Sequence, residues 1–386
     1  MTNPTPHPPT SPVRVAIDVT SLAGPRTGVG HVTAALLGRL ASRPDVALRA
    51  YAVTGDRAAV ADLRLPPGTP LRITGVPARV LLGTWRWFPV PRIDRWTGRV
   101  DVVHGTNFVV PPTGAGALVT VHDVAFARSP ELVTAASRRY LGLLRVAARR
   151  GATVHVFSDH VRAQVVELLA LPPERVVCIA PGIGELPVGD AAQGRHRAGA
   201  ARYVLALGTV EPRKNYPRLV AAFDALAPSD PDLRLVIAGA DGWGADALTE
   251  AVRAAAHGDR VIRLGYVTDA DRADLLAGAR ALAYPSLDEG FGHPPLEAMR
   301  LGVPVVAARA GAIPEVVGDA AVLVDPESVT ALATALDTVL TDPDERERLA
   351  TAGPARAQHY TWDRAADALV TCYRRVRDRA GGDAAT

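Results

Sequence analysis

The chain has 386 residues, of which 48% are apolar and 22% are charged, and its mean hydropathy is +0.10. At roughly 150 residues per domain this length predicts two or three domains, and the composition excludes a disordered chain and a coiled coil. The two cysteines, Cys178 and Cys372, exclude a disulfide scaffold and a cysteine zinc cluster, and no apolar run approaches the ~18 residues of a spanning helix. The net charge of +3 is too small to indicate a nucleic-acid partner.

The chain begins with a proline-rich segment, residues 1–12, which holds five prolines and no lysine or arginine. Such a segment predicts a disordered tail. Because it has neither a basic region nor an apolar stretch, it is not expected to be a secretory signal, and a cytoplasmic location is expected instead.

Beyond residue 12, short apolar segments alternate with helical ones. Strands are predicted at 13–19, 47–53, 71–76, 100–104, 117–122, 154–158 and 176–180, and then at 203–208, 233–239, 261–265, 281–284, 303–307 and 321–324. A polar, glycine-containing stretch at 184–201 is interpreted as the linker between the two series. Nearly continuous apolar strands separated by helices are typical of parallel sheets covered on both faces. The predicted fold class is α/β, with two doubly wound domains facing a cleft and a last helix, 362–378, that crosses back to the first domain.

Lys214 is the only lysine among 43 lysines and arginines, and Asn215 beside it is one of three asparagines. Most solvated cations tolerate exchange to arginine, so the lysine that remains is expected where a compact, mobile charge is needed. The alternative is chance survival at a solvated site. Arg213 and Lys214 follow the strand 203–208 and precede a helix, where cations and helix amides together can hold a diphosphate.

Two carboxylates flank the start of a predicted helix that follows the strand 281–284. The segment from Asp288 reads Asp-Glu-Gly-Phe-Gly-His-Pro-Pro-Leu-Glu-Ala-Met. Its glycines let the backbone approach a ligand, and its prolines suit the first helical turn, in which Glu297 is expected to lie. Because carboxylates accept bidentate hydrogen bonds from vicinal hydroxyls, Glu289 and Glu297 are expected to face a sugar or ribose. The alternative makes Glu289 solvated and Glu297 a partner of the helix dipole.

Two other turns give weaker signals. Thr27-Gly28-Val29-Gly30 lacks the third glycine of a dinucleotide fingerprint, so a plain tight turn and a substrate-approach loop both remain open. His122 ends the strand 117–122, where it can donate a hydrogen bond to a ligand oxygen, with Asp123 orienting it. The alternative is a structural histidine.

The order of these motifs resembles the retaining family-4 glycosyltransferases of the GT-B fold, a mannosyltransferase-like part of glycosyltransferase group 1. The resemblance covers about residues 13–378. It rests on the E-x7-E spacing of Glu289 and Glu297, Gly-Thr-Val-Glu-Pro-Arg-Lys-Asn at 208–215, Ala-Pro-Gly at 180–182, Val-His-Asp at 121–123 and Tyr-Thr-Trp at 360–362. It implies an acceptor-side N-terminal domain at 13–190, a nucleotide-sugar donor domain at 197–358 and a back-crossing helix at 359–380.

The resemblance also implies roles for residues of the donor side. Arg213 and Lys214 match the family's donor diphosphate binders. Glu297 matches the carboxylate on the nucleotide ribose, and Glu289 the one on the donor-sugar hydroxyls. The amides of Gly290, Phe291 and Gly292 would face the sugar and phosphate, and Val267, within Gly265-Tyr266-Val267, would hold the base through main-chain groups.

On the acceptor side the resemblance assigns four residues. His122 matches a histidine near the transferred sugar and is predicted to be catalytic together with Arg213, Lys214 and Glu289. Gly28, Gly30 and Asn107 are assigned to the acceptor. His293 departs from the pattern, in which that position is commonly aliphatic, so the donor-sugar preference stays open.

The implied activity is transfer of a hexosyl group of the mannose or glucose type, with retention, from a nucleotide-diphosphate sugar to an acceptor hydroxyl in glycan or glycolipid synthesis. As the family's mechanism is usually drawn, the acceptor attacks on the leaving-group face and the donor phosphate takes its proton. No cofactor and no metal are expected, because two cations can meet the charge of the departing diphosphate. The alternatives are a non-catalytic subunit that binds nucleotide sugars and another GT-B enzyme such as an epimerase.

The segment 84–96 holds three of the five tryptophans interleaved with three arginines, and a second basic helix is predicted at 138–150. Aromatic rings and arginines suit an anionic membrane surface, so peripheral contact at the inner face of a membrane and a lipid-linked acceptor form one interpretation. The other packs the tryptophans against the sheet and leaves the arginines solvated. Pro89 and Pro91 favour the second, because they interrupt any continuous amphipathic helix.

Overall fold

The computed structural model describes residues 11–24, 28–61, 63–129, 131, 137, 139–184 and 186–383. Residues 1–10 of the predicted tail, Thr27 of the predicted turn and Arg138 of the predicted basic helix lie outside the described residues. The chain divides into two compact units. The first comprises Met1–Phe157, Arg162–Gly182 and Trp362–Thr386, and the second comprises Ser158–Val161 and Ile183–Thr361.

The first unit is built on a parallel sheet of seven strands. They are β1 (Val13–Asp18), β2 (Val46–Ala52), β3 (Leu71–Ile73), β4 (Val102–Gly105), β5 (Gly116–Val121), β6 (Thr153–Val156) and β7 (Val176–Cys178). The order across the sheet is β3-β2-β1-β4-β5-β6-β7, and all paired neighbours run parallel. The direction of winding reverses between β1 and β4, and the carboxyl ends of strands at such a reversal are where open α/β sheets bind ligands.

The second unit is built on a parallel sheet of six strands. They are β8 (Arg202–Leu207), β9 (Leu233–Ala238), β10 (Val261–Gly265), β11 (Ala281–Tyr284), β12 (Val305–Ala308) and β13 (Val322–Val324). The order is β10-β9-β8-β11-β12-β13, again with parallel neighbours, and it reverses between β8 and β11. Both sheets confirm the predicted α/β class with two doubly wound domains.

Helices separate most of the consecutive strands in both units. In chain order they are α1 (Gly28–Ala41), α2 (Ala78–Trp87), α3 (Asp94–Thr97), α4 (Ala125–Arg128), α5 (Arg139–Arg149), α6 (Asp159–Leu169), α7 (Ala191–Ala198), α8 (Tyr216–Leu226), α9 (Ala245–Ala254), α10 (Asp269–Gly278), α11 (His293–Arg300), α12 (Ile313–Val317), α13 (Val329–Thr341), α14 (Pro343–Ala357) and α15 (Trp362–Asp383). Across the described ranges, no helix combines the length and the apolar character that crossing a bilayer requires.

The core of the second unit shows why its strands read as continuous apolar runs. Leu219 and Phe223 of α8 and Leu336 of α13 belong to one buried cluster with Ile237 of β9, and each is at most 1% exposed. Full burial of a side chain of this size contributes about 1.5–3 kcal/mol. A strand covered by helices on both faces therefore keeps apolar residues at successive positions.

The segment interpreted as the linker, 184–201, is not entirely a connecting loop. It contains α7, whose amino end is capped by Asp190 through the amides of Ala192 and Gln193. The helix packs closely on α10, since a Cβ on Gly194 would lie 1.9 Å from the Asp274 carbonyl oxygen. Gly194 is needed for this contact between two helices. The glycine that favoured a linker therefore reflects close packing and not a flexible chain.

A buried chain of hydrogen bonds fixes the last helix, α15, to the sheet of the first unit. Tyr373 of α15 is 2.7 Å from His104 Nδ1, His104 Nε2 is 2.8 Å from the Thr120 hydroxyl, and that hydroxyl is 2.9 Å from His155 Nδ1. His155 Nε2 donates to the Ile179 carbonyl oxygen at 3.0 Å. This last bond sets the direction of all the others, so each group donates once toward Ile179.

The direction of the chain requires both histidines to be neutral. Burial lowers the pKa of His104 well below its ordinary value of 6.5, and burial lowers that of His155 to about 4. The phenol of Tyr373 is then the donor to His104 Nδ1. This bond ties α15 to the sheet of the first unit. Although α15 ends the described chain, it belongs to that unit, which confirms the predicted back-crossing helix.

We expect Tyr373→Phe to lower the free energy of unfolding by about 1–3 kcal/mol, because it leaves the buried Nδ1 of His104 without a donor. The measurement is urea denaturation followed by circular dichroism at neutral pH.

Tyr266→Phe is the matched control, because Tyr266 is 71% exposed and the loss of its hydroxyl removes no buried bond. Equal urea midpoints for Tyr373→Phe and the parent protein would show that the chain of hydrogen bonds does not anchor α15.

Candidate active site

The carboxyl ends of β8 and β11 carry the strongest candidate site. These strands are neighbours, with Ala281 paired with Val204 and Leu282 with Leu205. The chain continues from β8 to β9 on one side of the pair and from β11 to β12 on the other. Loops that diverge in this way leave a crevice at the carboxyl edge of the sheet.

Gly208 lets the loop after β8 lie close to its own strand. Its φ is +138°, and a Cβ there would be 3.0 Å from Lys214 Cε, so a side chain at this position would meet the lysine. Lys214 ends a 3-10 turn, Pro212–Lys214, and is only 8% exposed. The alternative that the lone lysine survives at a solvated site is therefore wrong.

Asn215 next to the lysine has a structural task. It adopts a left-handed conformation with φ +59°, which asparagine tolerates better than most residues. Its side-chain amide donates to the carbonyl oxygens of Pro285 at 3.1 Å and Pro326 at 2.8 Å. The scarce asparagine thus joins the loop after β8 to the segment after β11.

A single carboxylate holds both cations. Arg213 Nη1 donates to Glu289 Oε2 at 2.7 Å, and Lys214 Nζ donates to Glu289 Oε1 at 2.7 Å. Lys214 Nζ also donates to the Tyr284 hydroxyl at 2.8 Å, and Arg213 Nη1 donates to the Asp288 carbonyl at 2.9 Å. Burial by itself would raise the pKa of Glu289, but Arg213 and Lys214 lower it to about 2.

This arrangement corrects the expected surroundings of Glu289. The carboxylate is 7% exposed, so the solvated alternative is wrong. Both of its oxygens accept from cations, which the assignment to sugar hydroxyls alone did not anticipate. Each oxygen retains a second lone pair, so a hydroxyl can still bind there. No sequence pattern pointed to Tyr284, an aromatic residue at the end of a buried strand whose hydroxyl accepts from Lys214.

The second carboxylate of the pair, Glu297, has a different environment. It is the fifth residue of α11, just past the first turn in which it was expected, and it is 4% exposed. Its Oε1 lies 3.5 Å from Arg272 Nη2, and its buried Oε2 has no hydrogen-bond partner among the described residues. Burial raises the pKa of Glu297, and Arg272 only partly opposes the shift. An unpartnered buried oxygen of this kind is suited to accept from a ligand hydroxyl.

The loop between the two glutamates is held by close backbone packing. A Cβ on Gly311, where φ is +58°, would lie 2.5 Å from the Glu289 amide nitrogen. The Ala312 amide donates to the Glu289 carbonyl at 2.9 Å, and the Ser158 hydroxyl donates to the Gly290 carbonyl at 2.9 Å. These contacts hold the backbone at Glu289 and so fix the direction of its side chain. They come from residues outside the segment between Glu289 and Glu297.

The remaining donor-side residues lie around the same sheet edge. Phe291 is 5% exposed, with its ring 5.1 Å from that of His293 and 5.4 Å from that of Tyr360, centroid to centroid. Gly292 has a φ of +112° and precedes α11. Val267 follows the exposed Tyr266 and precedes Thr268, which caps α10. Their contacts with a donor stay predictions.

In the first unit, His122 lies beyond the carboxyl end of β5. Its Nε2 donates to the Thr106 carbonyl at 2.9 Å, and burial lowers its pKa below 6.5. A neutral ring in this tautomer presents Nδ1 as an acceptor, so the expectation that it donates to a ligand oxygen is revised. Asp123 was expected to orient the ring, but its carboxylate accepts from the amide of Ala125, the first residue of α4, at 3.1 Å.

The three residues assigned to the acceptor follow β1 and β4, the two strands at the reversal of the first sheet. Gly28 and Gly30 lie in the first turn of α1 and not in a loop before it, which corrects the expected turn. Asn107 follows β4, and its buried Oδ1 has no hydrogen-bond partner in the part of the chain that the structure describes. Of the three, Asn107 offers the clearest ligand-facing atom.

Comparison with known proteins decides the family. The profile of the family described as glycosyl transferases group 1 matches residues 192–356, which contain both glutamates and both cations. The O-antigen chain mannosyltransferase B of Escherichia coli is 33% identical over 296 residues, which are 74% of this chain and 77% of that protein. The chain belongs to the group 1 glycosyltransferases. It is therefore a sugar-transferring enzyme.

Solved structures show the same fold for this glycosyltransferase. Sucrose-phosphate synthase from Thermosynechococcus elongatus superposes with a TM-score of 0.76 at 19% identity, covering 94% of this chain and 99% of that one. HepE of Anabaena, crystallised with UDP and glucose, superposes with a TM-score of 0.69 at 18% identity, covering 93% and 99%. The GT-B fold is thus confirmed, and at these identities the likeness concerns the fold alone.

We expect the two glutamates of this glycosyltransferase to affect stability in opposite ways. Glu289→Gln should lower the free energy of unfolding at neutral pH by roughly 3 kcal/mol, because two buried cations lose their countercharge. Glu297→Gln should leave it unchanged or raise it, because a neutral amide avoids burying an ionised carboxylate whose pKa is raised. Urea denaturation of both variants measures the difference.

The pH dependence provides the control. A carboxylate with a lowered pKa stabilises the fold above its unfolded pKa of about 4.3, and this contribution disappears as the pH falls toward 2. The deficit of Glu289→Gln should therefore shrink over that window. A deficit that is equal in both variants would contradict the distinction between the two glutamates.

Proposed function

We propose that the enzyme transfers a hexosyl group of the mannose or glucose type, with retention, from a nucleotide-diphosphate sugar to a hydroxyl in glycan or glycolipid synthesis. The observation that carries this proposal is the buried cluster of Arg213, Lys214 and Glu289 where the strand order reverses between β8 and β11. The same site includes Glu297, whose buried Oε2 has no partner among the described residues. The names of relatives agree with it, since one is a mannosyltransferase of O-antigen chains. HepE, which has the same fold, was crystallised with a nucleoside diphosphate and a hexose, the two parts of the donor proposed here.

The first step to explain is departure of the nucleoside diphosphate. Negative charge grows on the bridging oxygen as the sugar takes on oxocarbenium character, and preorganised cations stabilise that charge most. Lys214 and Arg213 are held before any ligand arrives, because Glu289 and the Asp288 carbonyl fix their side chains. In this proposal Glu289 positions the two cations and accepts from a donor-sugar hydroxyl with its remaining lone pairs.

Glu297 is assigned to the nucleotide ribose. Its Oε2 is buried and lacks a partner within the described residues, while Arg272 lies 3.5 Å from the other oxygen. A vicinal diol supplies two hydroxyl donors to one carboxylate. Binding of such a diol would relieve the cost of burying an unpaired charge, so the ribose and the ionised form of Glu297 favour each other.

Acceptor attack is assigned to the face of the leaving group, with the donor phosphate taking the proton. No side chain is assigned as a covalent nucleophile. His122, as an acceptor at Nδ1, and Asn107, through its unpartnered Oδ1, are proposed to receive hydrogen bonds from sugar hydroxyls. Metal independence is part of the same proposal, because Arg213 and Lys214 supply the positive charge that a divalent ion would otherwise provide.

We expect Arg213→Ala and Lys214→Ala each to lower kcat/KM at least ~100-fold, or roughly 2.7 kcal/mol, for loss of one preorganised charge contact. Lys214→Arg should also be impaired, since Gly208 leaves little room beside the lysine side chain. The assay follows nucleoside diphosphate release from a panel of UDP-, GDP- and ADP-sugars with sugar and lipid-linked acceptors. Excess EDTA should leave the rate nearly unchanged, and NMR of the product reports the anomeric configuration.

Arg253→Ala is the control for loss of a cation, because the Arg253 side chain is 74% exposed. Binding of nucleotide sugars without turnover of any donor would favour the non-catalytic subunit instead. Activity that EDTA abolishes and Mn²⁺ restores would overturn the assignment of charge neutralisation to Arg213 and Lys214. An inverted product would overturn retention.

We further propose that the first unit contacts a membrane surface peripherally. The structure divides the tryptophans of the 84–96 segment into two groups. Trp85 is 2% exposed and its Nε1 donates to the Pro91 carbonyl at 2.9 Å, in agreement with the packing interpretation. Trp87 and Phe88 are 73% and 60% exposed, and the Arg86 guanidinium lies 5.4 Å from the Trp87 ring centroid. Exposed rings beside arginine suit the headgroup region of an anionic bilayer.

The double variant Trp87→Ser, Phe88→Ser should bind vesicles of phosphatidylglycerol and phosphatidylcholine at least ~10-fold more weakly than the parent in co-sedimentation, because two interfacial rings are lost. Trp243→Ser is the control, since Trp243 is a 47% exposed tryptophan of the other unit. Failure of the parent protein to bind even at low salt would eliminate the membrane contact and favour an acceptor in solution.

A further inference from the structure

A cavity lies in the first unit, at the opposite edge of the sheet from His122 and Asn107. Its volume is about 630 Å³, and its lining includes Gly116 and Thr153, which start β5 and β6 at their amino ends. Val376 and Arg379 of α15 close another side. This cavity does not include any of the residues assigned to the donor or the acceptor.

The wall formed by α15 is set by close contact with the sheet. A Cβ on Gly116 would lie 2.6 Å from Val376 Cγ1 and 2.8 Å from the Val376 carbonyl oxygen, so only glycine allows the helix to pack at this distance. The helix is also held three residues before Val376, where Tyr373 bonds to His104. The cavity is therefore bounded by elements that are held in place.

Four arginines line the cavity. They are Arg92, Arg150, Arg175 and Arg379. Arg175 donates to the carbonyls of Ala148 and Ala152, and Arg379 donates to the Glu174 carbonyl at 3.3 Å. Across the described residues none of the four forms an ion pair, and the guanidinium groups of Arg92 and Arg150 make no hydrogen bond. Glu174 is the one acidic residue of the described lining.

Two of these unpaired cations also have another arginine close by. Burial, together with Arg149, lowers the pKa of Arg150, and burial, together with Arg379, lowers that of Arg175. Four cations beside one carboxylate leave an excess of positive charge that destabilises the folded chain, and an anion that binds among them removes that cost. Arginine is suited to phosphate in particular, because its planar group donates two parallel hydrogen bonds to phosphate oxygens.

The rest of the lining is apolar. Val110, Pro111 and Pro112 come from the loop between β4 and β5, and Pro89 comes from the segment that carries the exposed Phe88 and Val90. A ligand that fills about 630 Å³ therefore meets guanidinium groups on one part of its surface and hydrocarbon on another. Inorganic phosphate alone would leave the apolar wall uncovered.

We propose that this cavity binds a phosphate ester that carries an apolar group. The same chemistry is offered by the headgroup of an anionic lipid and by a free phosphate ester in solution, and the experiment below separates them. The inference goes beyond the transfer reaction and does not depend on it, because the cavity shares no residue with the proposed donor site.

The experiment uses the full chain with Arg213→Ala and Lys214→Ala, so that the donor site does not contribute to binding. Hexyl phosphate and inorganic phosphate are titrated by calorimetry. We expect hexyl phosphate to bind more tightly than inorganic phosphate, and Arg92→Glu and Arg150→Glu each to weaken it about tenfold or more, which is the typical effect of losing a hydrogen bond to a charged group. Neither side chain bonds the described chain, so both variants should fold, and thermal unfolding checks this.

Arg149→Glu is the matched control. It makes the same charge change one residue away, at the last position of α5, but Arg149 does not line the cavity. Hexyl phosphate binding that survives in Arg149→Glu and is lost in Arg150→Glu supports the site. No binding of hexyl phosphate, or an equal loss in both variants, overturns it whether or not the enzyme transfers sugar.

Vesicles distinguish the two sources of the phosphate ester. Phosphatidylcholine vesicles with and without phosphatidic acid are compared in co-sedimentation. If Arg150→Glu weakens binding to the phosphatidic acid vesicles more than Arg149→Glu does, a lipid headgroup occupies the cavity. If the two variants bind vesicles equally while only Arg150→Glu loses hexyl phosphate, the ligand is a free phosphate ester.

Discussion

The site depends on one buried carboxylate between two cations. Glu289 accepts from Arg213 and from Lys214 at 2.7 Å each, and all three side chains are largely removed from water. Removal of three charges from water is costly, and attraction among them offsets the cost only when their geometry is held. The loops after β8 and β11 must therefore keep one relative position. Gly208 and Asn215 in the loop after β8, and Gly311 in the loop after β12, all serve that requirement.

The position of this cluster follows from chain topology. β8 and β11 are adjacent in the sheet, but their paired residues Leu205 and Leu282 are 77 positions apart in the sequence. Neither loop can therefore complete the cluster alone. The parallel sheet brings the two strand ends together, and the reversal of strand order keeps the loops apart above them. The fold supplies the crevice, and the glutamate supplies the link across it.

The strands were predictable because each is covered on both faces and so appears as an uninterrupted apolar run. The pattern failed at α7, whose sequence is polar and contains glycine, because that helix is stabilised by its cap at Asp190 and its packing on α10. In the site, Lys214 was predictable because it is the only lysine of the chain, and the two glutamates were predictable from their spacing. Tyr284 and Arg272 were not, because their contacts join elements distant in sequence and leave no local periodicity.

The two glutamates of the signature show why spacing alone does not assign a role. Both are buried, and burial raises the pKa of either one. Glu289 contacts two cations, which reverse the shift, whereas Glu297 has one arginine at 3.5 Å and one oxygen without a partner among the described residues. Both oxygens of the first carboxylate therefore accept from protein cations, whereas one buried oxygen of the second has no partner among the described residues. This asymmetry in partners, which only the folded chain reveals, separates a carboxylate that holds two cations from a carboxylate that we propose to bind the donor.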